Sequence, residues 1–307
     1  MAKIPQKRLA ETEGRNPRTR GLDRKRTLEI LRMMNREDAQ VARAIGREIP
    51  AIARAVEEVV RGMRRGGRLF YVGAGTSGRL GALDAAECPP TFGISPRLVQ
   101  AIVAGGRRAL TQAVEGAEDS AEQGARDLRA ARVTKKDVVV GLTASGSTPY
   151  VLGALRYVRR LGAVTIGMTS NRRSPIARLA RIIIAPRTGP EAIAGSTRLK
   201  AGTAQKLVLN MLSTAAMVRL GHVYDNWMID VVLTNRKLRR RAIRILEQAT
   251  GASLSEAEHA LRQTGHDLRA ALLILLTGAT AAEAHHRLSN GRRFARGPGR
   301  RRHTTRG

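Results

Sequence analysis

Leu69–Thr91 reads LFYVGAGTSGRLGALDAAECPPT: a short apolar run, a glycine-rich turn, then a stretch with the character of a helix. Leu69–Val72 is continuous enough to be a buried strand, and Gly73, Gly75, Gly78 and Gly81, with Thr76 and Ser77 among them, carry the chain from strand to helix. The first N–H groups of a helix have no acceptor within the helix, and the helix dipole adds partial positive charge there. With the hydroxyls of Thr76 and Ser77 alongside, Gly75–Ser77 is a candidate cradle for an anion such as phosphate. Glu87, just before Pro89 and Pro90, brings a carboxylate into the same stretch, the residue type needed for acid–base work on a phosphorylated small molecule.

Two familiar glycine loops do not fit. A dinucleotide site of the form G-x-G-x-x-G wants an acidic residue about twenty positions on to grip a ribose. Here the next apolar run, Leu98–Val103, leads through Ala104, Gly105 and Gly106 to Arg107. A P-loop needs Lys and Ser or Thr directly after its last glycine, and Arg79 and Leu80 stand there instead. A plain strand-to-helix turn without a ligand remains a second reading of this loop.

Outward from the turn, the pattern is regular. Upstream, residues 1 to about 20 are polar and basic and are expected to be extended or partly disordered. Leu28, Ile30, Leu31 and Met34, then Ile52, Ala55, Val56, Val59, Val60 and Met63, fall at helical spacings on either side of Pro50. Downstream come four more short runs rich in Val and Ile: Leu98–Val103, Val138–Leu142, Val164–Met168 and Ile182–Ala185. Helical segments over much of Gln112–Ala131 and over Tyr150–Leu161 and Ser174–Leu179 separate them. Strand alternating with helix predicts an α/β fold, a doubly wound five-stranded parallel sheet flanked by helices, with ligands beyond the carboxyl ends of the strands.

A second hydroxyl-rich turn, Thr143–Pro149, follows the third strand and precedes a helix, and Ser145, Ser147 and Thr148 are more hydroxyls than one helix cap needs. These three join the candidate phosphate ligands. A long helix from about Ala201 to Leu220 carries Thr203, Gln205, Lys206 and Asn210, either lining a site or forming an exposed face, and Arg198 and Lys200 just before it are candidates for holding a carboxylate or phosphate. From Thr250 three short helical pieces, separated by Gly265 and Gly278, form a small three-helix unit behind a basic helix near Asn235–Ala249. The expected organisation is a basic segment and helical arm over 1–58, an α/β domain over 59–222, a helical subdomain over 223–288 and a disordered basic tail over 289–307.

The formal charge of +30 invites a nucleic-acid partner, but aromatic residues that would stack on bases make up only 3% of the 307 residues. Arg far outnumbers Lys, which fits a compositional bias of the source genome, so no nucleic-acid partner is expected. The single cysteine, Cys88, excludes a disulfide framework within the chain and a cysteine-based zinc site. Without a run of about eighteen apolar residues or the apolar core of a signal peptide, the chain is expected to be soluble and cytoplasmic.

Four motifs in order, GAGTSGRLGALDAAECPPTFG from Gly73, AVEGAED at Ala113–Asp119, GLTASGSTPYV from Gly141 and GSTRLKAGTAQKLVLNMLST at Gly195–Thr214, resemble the N-acetylmuramic acid 6-phosphate etherases, a branch of the sugar isomerase (SIS) domain superfamily. The likeness spans about residues 9–290. It implies an SIS-type sheet, hydrolytic removal of a D-lactyl ether from the phosphorylated amino sugar, no metal or redox cofactor, and a homodimer. By the same resemblance Glu87 is the acid that protonates departing lactate and Glu118 the base. Glu115, three residues before Glu118, would share its face if the segment were helical. Three positions depart from the family pattern: Ser147 where a longer basic residue is frequent, Ala86 where a serine commonly stands, and Leu199 where methionine is frequent. The same fold could serve an aldose–ketose isomerase or a sugar-phosphate sensor, neither of which needs the Glu87 and Glu118 pair. A sugar-responsive transcription factor would need a DNA-reading module that the first 58 residues do not suggest.

Overall fold

The structure, a computed structural model, describes residues 11–231, 233 and 235–289. Five strands, β1 (Leu69–Gly73), β2 (Val99–Val103), β3 (Val138–Leu142), β4 (Val164–Met168) and β5 (Ile182–Ile184), form one parallel sheet in the order β2-β1-β3-β4-β5. Side chains alternate between its faces, and both faces are covered, which is why each strand reads as a nearly unbroken apolar run. One face carries Leu69, Tyr71, Val138 and Leu142, against α2 (Ile49–Arg64) and α3 (Gly75–Phe92). The other carries Phe70, Val72 and Val139, packed with Leu128 of α4 (Ala121–Ala130) and Tyr150, Val151 and Leu155 of α5 (Pro149–Arg160). Helix α1 (Thr27–Gly46) precedes α2, and α6 (Lys200–Leu220) follows the sheet.

Close approach, as much as hydrophobicity, fixes α3 on the sheet. A Cβ on Gly78 would stand 2.7 Å from the carbonyl oxygen of Gly73 and 2.7 Å from Cγ1 of Val103, so the helix could not lie this near the strand with any other residue there.

Packing divides the chain into two units: the chain up to Cys88 with Ser95–Ala216, and Pro89–Ile94 with the residues from Met217 on. In the second, α7 (Arg236–Thr250), α8 (Leu254–Gln263) and α9 (Leu268–Thr277) share a core of Ile245, Leu246, Leu261, Leu268 and Leu272, and α10 (Ala281–Ser289) packs through Ala284 on Ala270 and Leu273 of α9.

One expectation is corrected. Residues 11–20 are neither extended nor loose: Glu11–Glu13 and Pro17–Thr19 are 3₁₀ turns, and Thr12, Asn16 and Thr19 are buried, because their polar groups meet the segment before α6. Thr19 donates to the carbonyl of Ala192 at 2.8 Å, and the N–H of Gly195 donates to Thr12 at 3.2 Å. Within Gln112–Ala131 the helix runs over Ala121–Ala130, and Ser120 caps it by accepting the N–H of Gln123 at 3.1 Å. Residues 1–10 and the tail from 290 lie outside the described residues.

Candidate active site

In a sheet ordered 2-1-3-4-5 the chain turns one way from β1 to β2 and the other way from β1 to β3, and the crevice beyond the carboxyl ends of β1 and β3 is where such folds take ligands. Gly73 is in register with Leu142, so the turn after β1 and the turn after β3 leave that crevice side by side. The first contributes Gly75, Thr76 and Ser77 as the opening turn of α3, with Gly75 exposed and the other two half-buried. No side chain among the described residues bonds to their hydroxyls, and the first N–H groups of a helix have no acceptor within it.

The second turn is a hydroxyl network. Thr143, 2% exposed, bonds to Thr148 at 2.8 Å and Ser145 at 3.3 Å and accepts the N–H of Gly146 at 3.2 Å; Ser147 donates to Ser145 at 3.0 Å. Thr148 precedes α5 without capping it through its side chain, so these hydroxyls answer to one another rather than to the helix end. Gly146 has φ of +75°, and a Cβ there would stand 1.8 Å from Oγ of Ser174, so this turn is also locked against the loop after β4. Thr143 is the hub of the network, and nothing but its place in the turn marks it in the sequence.

Glu118 lies in the loop before α4, exposed, and its carbonyl accepts the N–H of Tyr150 at 3.0 Å. That bond ties the loop to the start of α5, two residues from Thr148. Glu115 and Glu118 stand in irregular chain, so the face they would share on a helix is not formed.

Glu87 is exposed on α3, twelve residues beyond Gly75, which at the rise of an α-helix is about 18 Å along the axis. One turn before it stands Asp84, 5% exposed, a residue that sequence reasoning passed over. Its carboxylate accepts from Tyr71 at 2.8 Å, Asn210 at 2.8 Å and Ser213 at 3.1 Å, joining β1, α3 and α6. Burial and the neighbouring Asp84 raise the Tyr71 phenol well above its usual range. Burial first, and Asp84 second, push the Cys88 thiol up to about 12, so Cys88 holds its proton at neutral pH and is no nucleophile.

Arg198 is exposed in the turn that leads into α6. The opening turn of that helix passes the first hydroxyl turn, since a Cβ on Gly202 would lie 3.6 Å from Cγ2 of Thr76. Lys200 has a different place from the one expected. It is fully buried, its ammonium donates to Glu37 at 2.7 Å, and Glu37 also accepts from Asn16 at 2.7 Å and pairs with Arg18. The Arg18 guanidinium, then Lys200 and Asn16, hold the Glu37 carboxyl down at about 2 against the opposing effect of burial. Lys200 is thus a framework cation whose charge is already matched. Buried Glu191 accepts the N–H groups of Lys200 and Ala201, both at 2.9 Å, and so occupies the N-terminus of α6 with the chain's own carboxylate.

The switch-point crevice with two hydroxyl-lined turns defines an SIS-type protein, and three family matches agree. Residues 108–215 match the SIS domain, residues 51–159 the N-terminal SIS domain of glucokinase regulatory protein, and residues 225–273 the C-terminal lid domain of that protein. An N-acetylmuramic acid 6-phosphate etherase of Serratia proteamaculans is 55% identical over 277 residues, 90% of this chain and 93% of its own length. One of Geobacillus thermodenitrificans is 52% identical over 285 residues, 93% of this chain and 97% of its own. The chain belongs to the N-acetylmuramic acid 6-phosphate etherase family. A solved structure from Bacteroides fragilis, assigned as a phosphosugar isomerase involved in capsule formation, superposes with a TM-score of 0.50 at 19% identity over 66% of this chain and 95% of its own, a likeness of fold.

Proposed function

We infer that the chain hydrolyses the D-lactyl ether of N-acetylmuramic acid 6-phosphate, giving N-acetylglucosamine 6-phosphate and D-lactate, as a cytoplasmic carbon–oxygen lyase working as a homodimer in the recovery of cell-wall sugars. The 6-phosphate is held by the opening N–H groups of α3 with Thr76 and Ser77, and by Ser145, Ser147 and Thr148. Arg198 supplies positive charge to the same anion. An ether oxygen is a poor leaving group, but in the open-chain aldehyde the proton on carbon 2 is acidified by the carbonyl. Glu118 removes it, Glu87 protonates the lactate oxygen as the bond to carbon 3 breaks, and water then adds across the resulting double bond. One carboxyl must begin ionised and the other protonated. No electrons are exchanged with a cofactor, and the overall change is addition of one water.

The observation that carries this reading is the junction of Glu118 with the hydroxyl turn: its carbonyl is bonded to Tyr150 at the helix start that Thr148 precedes. A glutamate whose backbone is anchored beside a phosphate cradle suits proton removal from the carbon next to the aldehyde of the same sugar. The test is D-lactate release from N-acetylmuramic acid 6-phosphate by the native chain and by Glu87→Gln and Glu118→Gln. Release that falls by two to four orders of magnitude, about the usual worth of a general acid or base, in both folded variants supports the assignment. A folded native chain that binds the sugar phosphate without releasing lactate would make it a sensor instead.

A further inference from the structure

Beside the crevice, on the β4 and β5 side and with none of the residues of its two turns, two adjoining cavities, of about 630 and 830 Å³, share Ala44, Arg47 and Arg187 and so form one continuous trough. One is walled by α1, the other reaches the loop after β4 and the residues just beyond β5. Three acidic side chains line the trough, and each is already engaged: Glu37 with Lys200 and Arg18, Glu48 with Arg172 at 2.6 Å, and Glu11 with Arg187. Four further guanidiniums, of Arg36, Arg43, Arg47 and Arg173, line it with no carboxylate partner among the described residues. All four are exposed. Arg36 and Arg43, seven residues apart, share one face of α1, and Arg47, four residues further on at its C-cap, extends the row, about 16 Å from first to last at the helical rise.

We propose that this trough binds a linear phosphate polymer lacking bases, an inorganic polyphosphate chain, at a site separate from the sugar-phosphate crevice. A row of exposed, unmatched arginines along an open channel suits an extended anion with charge at every unit, since each planar guanidinium can grip phosphate oxygens in pairs. The length of the row exceeds a single phosphate ester. Among the described residues the lining has no Phe, Tyr or Trp, so it lacks the stacking surfaces that single-stranded nucleic acids use, and its recognition is of phosphate alone. The trough also explains where part of the +30 charge is put to use, in a place the etherase chemistry does not need.

The test uses the full chain, because its other basic segments also attract polyanions. Binding of fluorescently labelled polyphosphate is measured by anisotropy over a range of salt for three proteins: the native chain, Arg43→Gln/Arg47→Gln/Arg173→Gln, and the charge-matched Arg239→Gln/Arg240→Gln/Arg241→Gln on α7. The expected result is a loss of affinity of tenfold or more, with a shallower salt dependence, in the trough variant and a small change in the α7 variant. Circular dichroism and retained lactate release show that the trough variant is folded. Equal losses in both variants would reduce the effect to net charge and overturn the site. Absence of polyphosphate binding would overturn it too, and oligo-thymidylate binding as tightly, with the same dependence on the three arginines, would make the ligand a nucleic acid instead.

Discussion

The distance between Glu87 and the first hydroxyl turn makes a sharp prediction about assembly. Twelve residues of α3 separate Gly75 from Glu87, about 18 Å along one rigid helix, and a hexose 6-phosphate seated on the opening turn does not span that length. Glu118, in contrast, is anchored beside the second turn of the same crevice. If both carboxyls act on one sugar, the acid at each site is the Glu87 of a second copy. In a two-fold dimer every contact occurs twice, so each of two sites would combine the Glu118 of one subunit with the Glu87 of the other. Glu87→Gln and Glu118→Gln chains, each inactive alone, would then form mixed dimers with one site carrying both native glutamates and one carrying neither. Random exchange makes half the dimers mixed, each with one live site of two, so activity should return to roughly a quarter of native. The assay is D-lactate release before and after unfolding and co-refolding the two variants together, with sizing to confirm dimers. Mixed dimers that form and stay silent would refute the shared site and require Glu87 to reach the sugar within its own chain.

Three smaller predictions follow from single contacts. Thr143→Val keeps the shape of the hub but removes the hydroxyl that orients Ser145 and Thr148; inhibition by inorganic phosphate should weaken roughly tenfold, the worth of one hydrogen bond to a charged group, and unchanged inhibition would detach the network from phosphate. Gly78→Ala forces α3 off β1 and should lower stability in urea by about 1–3 kcal/mol, whereas an unshifted midpoint would show that the helix can move away freely. The Glu37 carboxyl, held at about 2 against an ordinary 4.5, contributes stability that is complete above about pH 4.5 and is lost as pH falls towards 2. Glu37→Gln should therefore lower the melting temperature at neutral pH and flatten its fall on acidification. A melting curve that falls as steeply as in the native chain would assign the acid sensitivity to other carboxyls.

Much of the sheet could be read directly because each strand is buried on both faces and so spells itself out as a short apolar run. The two turns were legible for a related reason: glycine and hydroxyl residues between a strand and a helix have few other uses. Where sequence reasoning erred, long-range pairing was the cause. Lys200, just before a helix and next to a motif, looks like a ligand until Glu37, 163 residues away, is seen to bury and neutralise it. Residues 11–20 look loose because their buried threonines and asparagine answer to the segment around Ala192 and Gly195, which no local pattern announces. Asp84 was hidden in the same way, its three partners lying on β1 and α6. Glu115 and Glu118 would share a face if their segment were helical, but Gly116, at φ of +70°, breaks the period.

The Glu37–Lys200 bond also orders events during synthesis. On a ribosome adding about 5–20 residues per second, the 163 residues between the two take roughly ten to thirty seconds to appear. Until then Glu37 has only Arg18 and Asn16 of its own segment to meet it, and Asn16 and Thr19 lack the carbonyls of Pro190 and Ala192 that they bond, so the start of the chain cannot complete its docking while β1 to β5 emerge. Docking of the first segment is consequently a late, sealing step, and a nascent chain halted short of Lys200 would offer its amino-terminal arm to proteases even with the sheet already made.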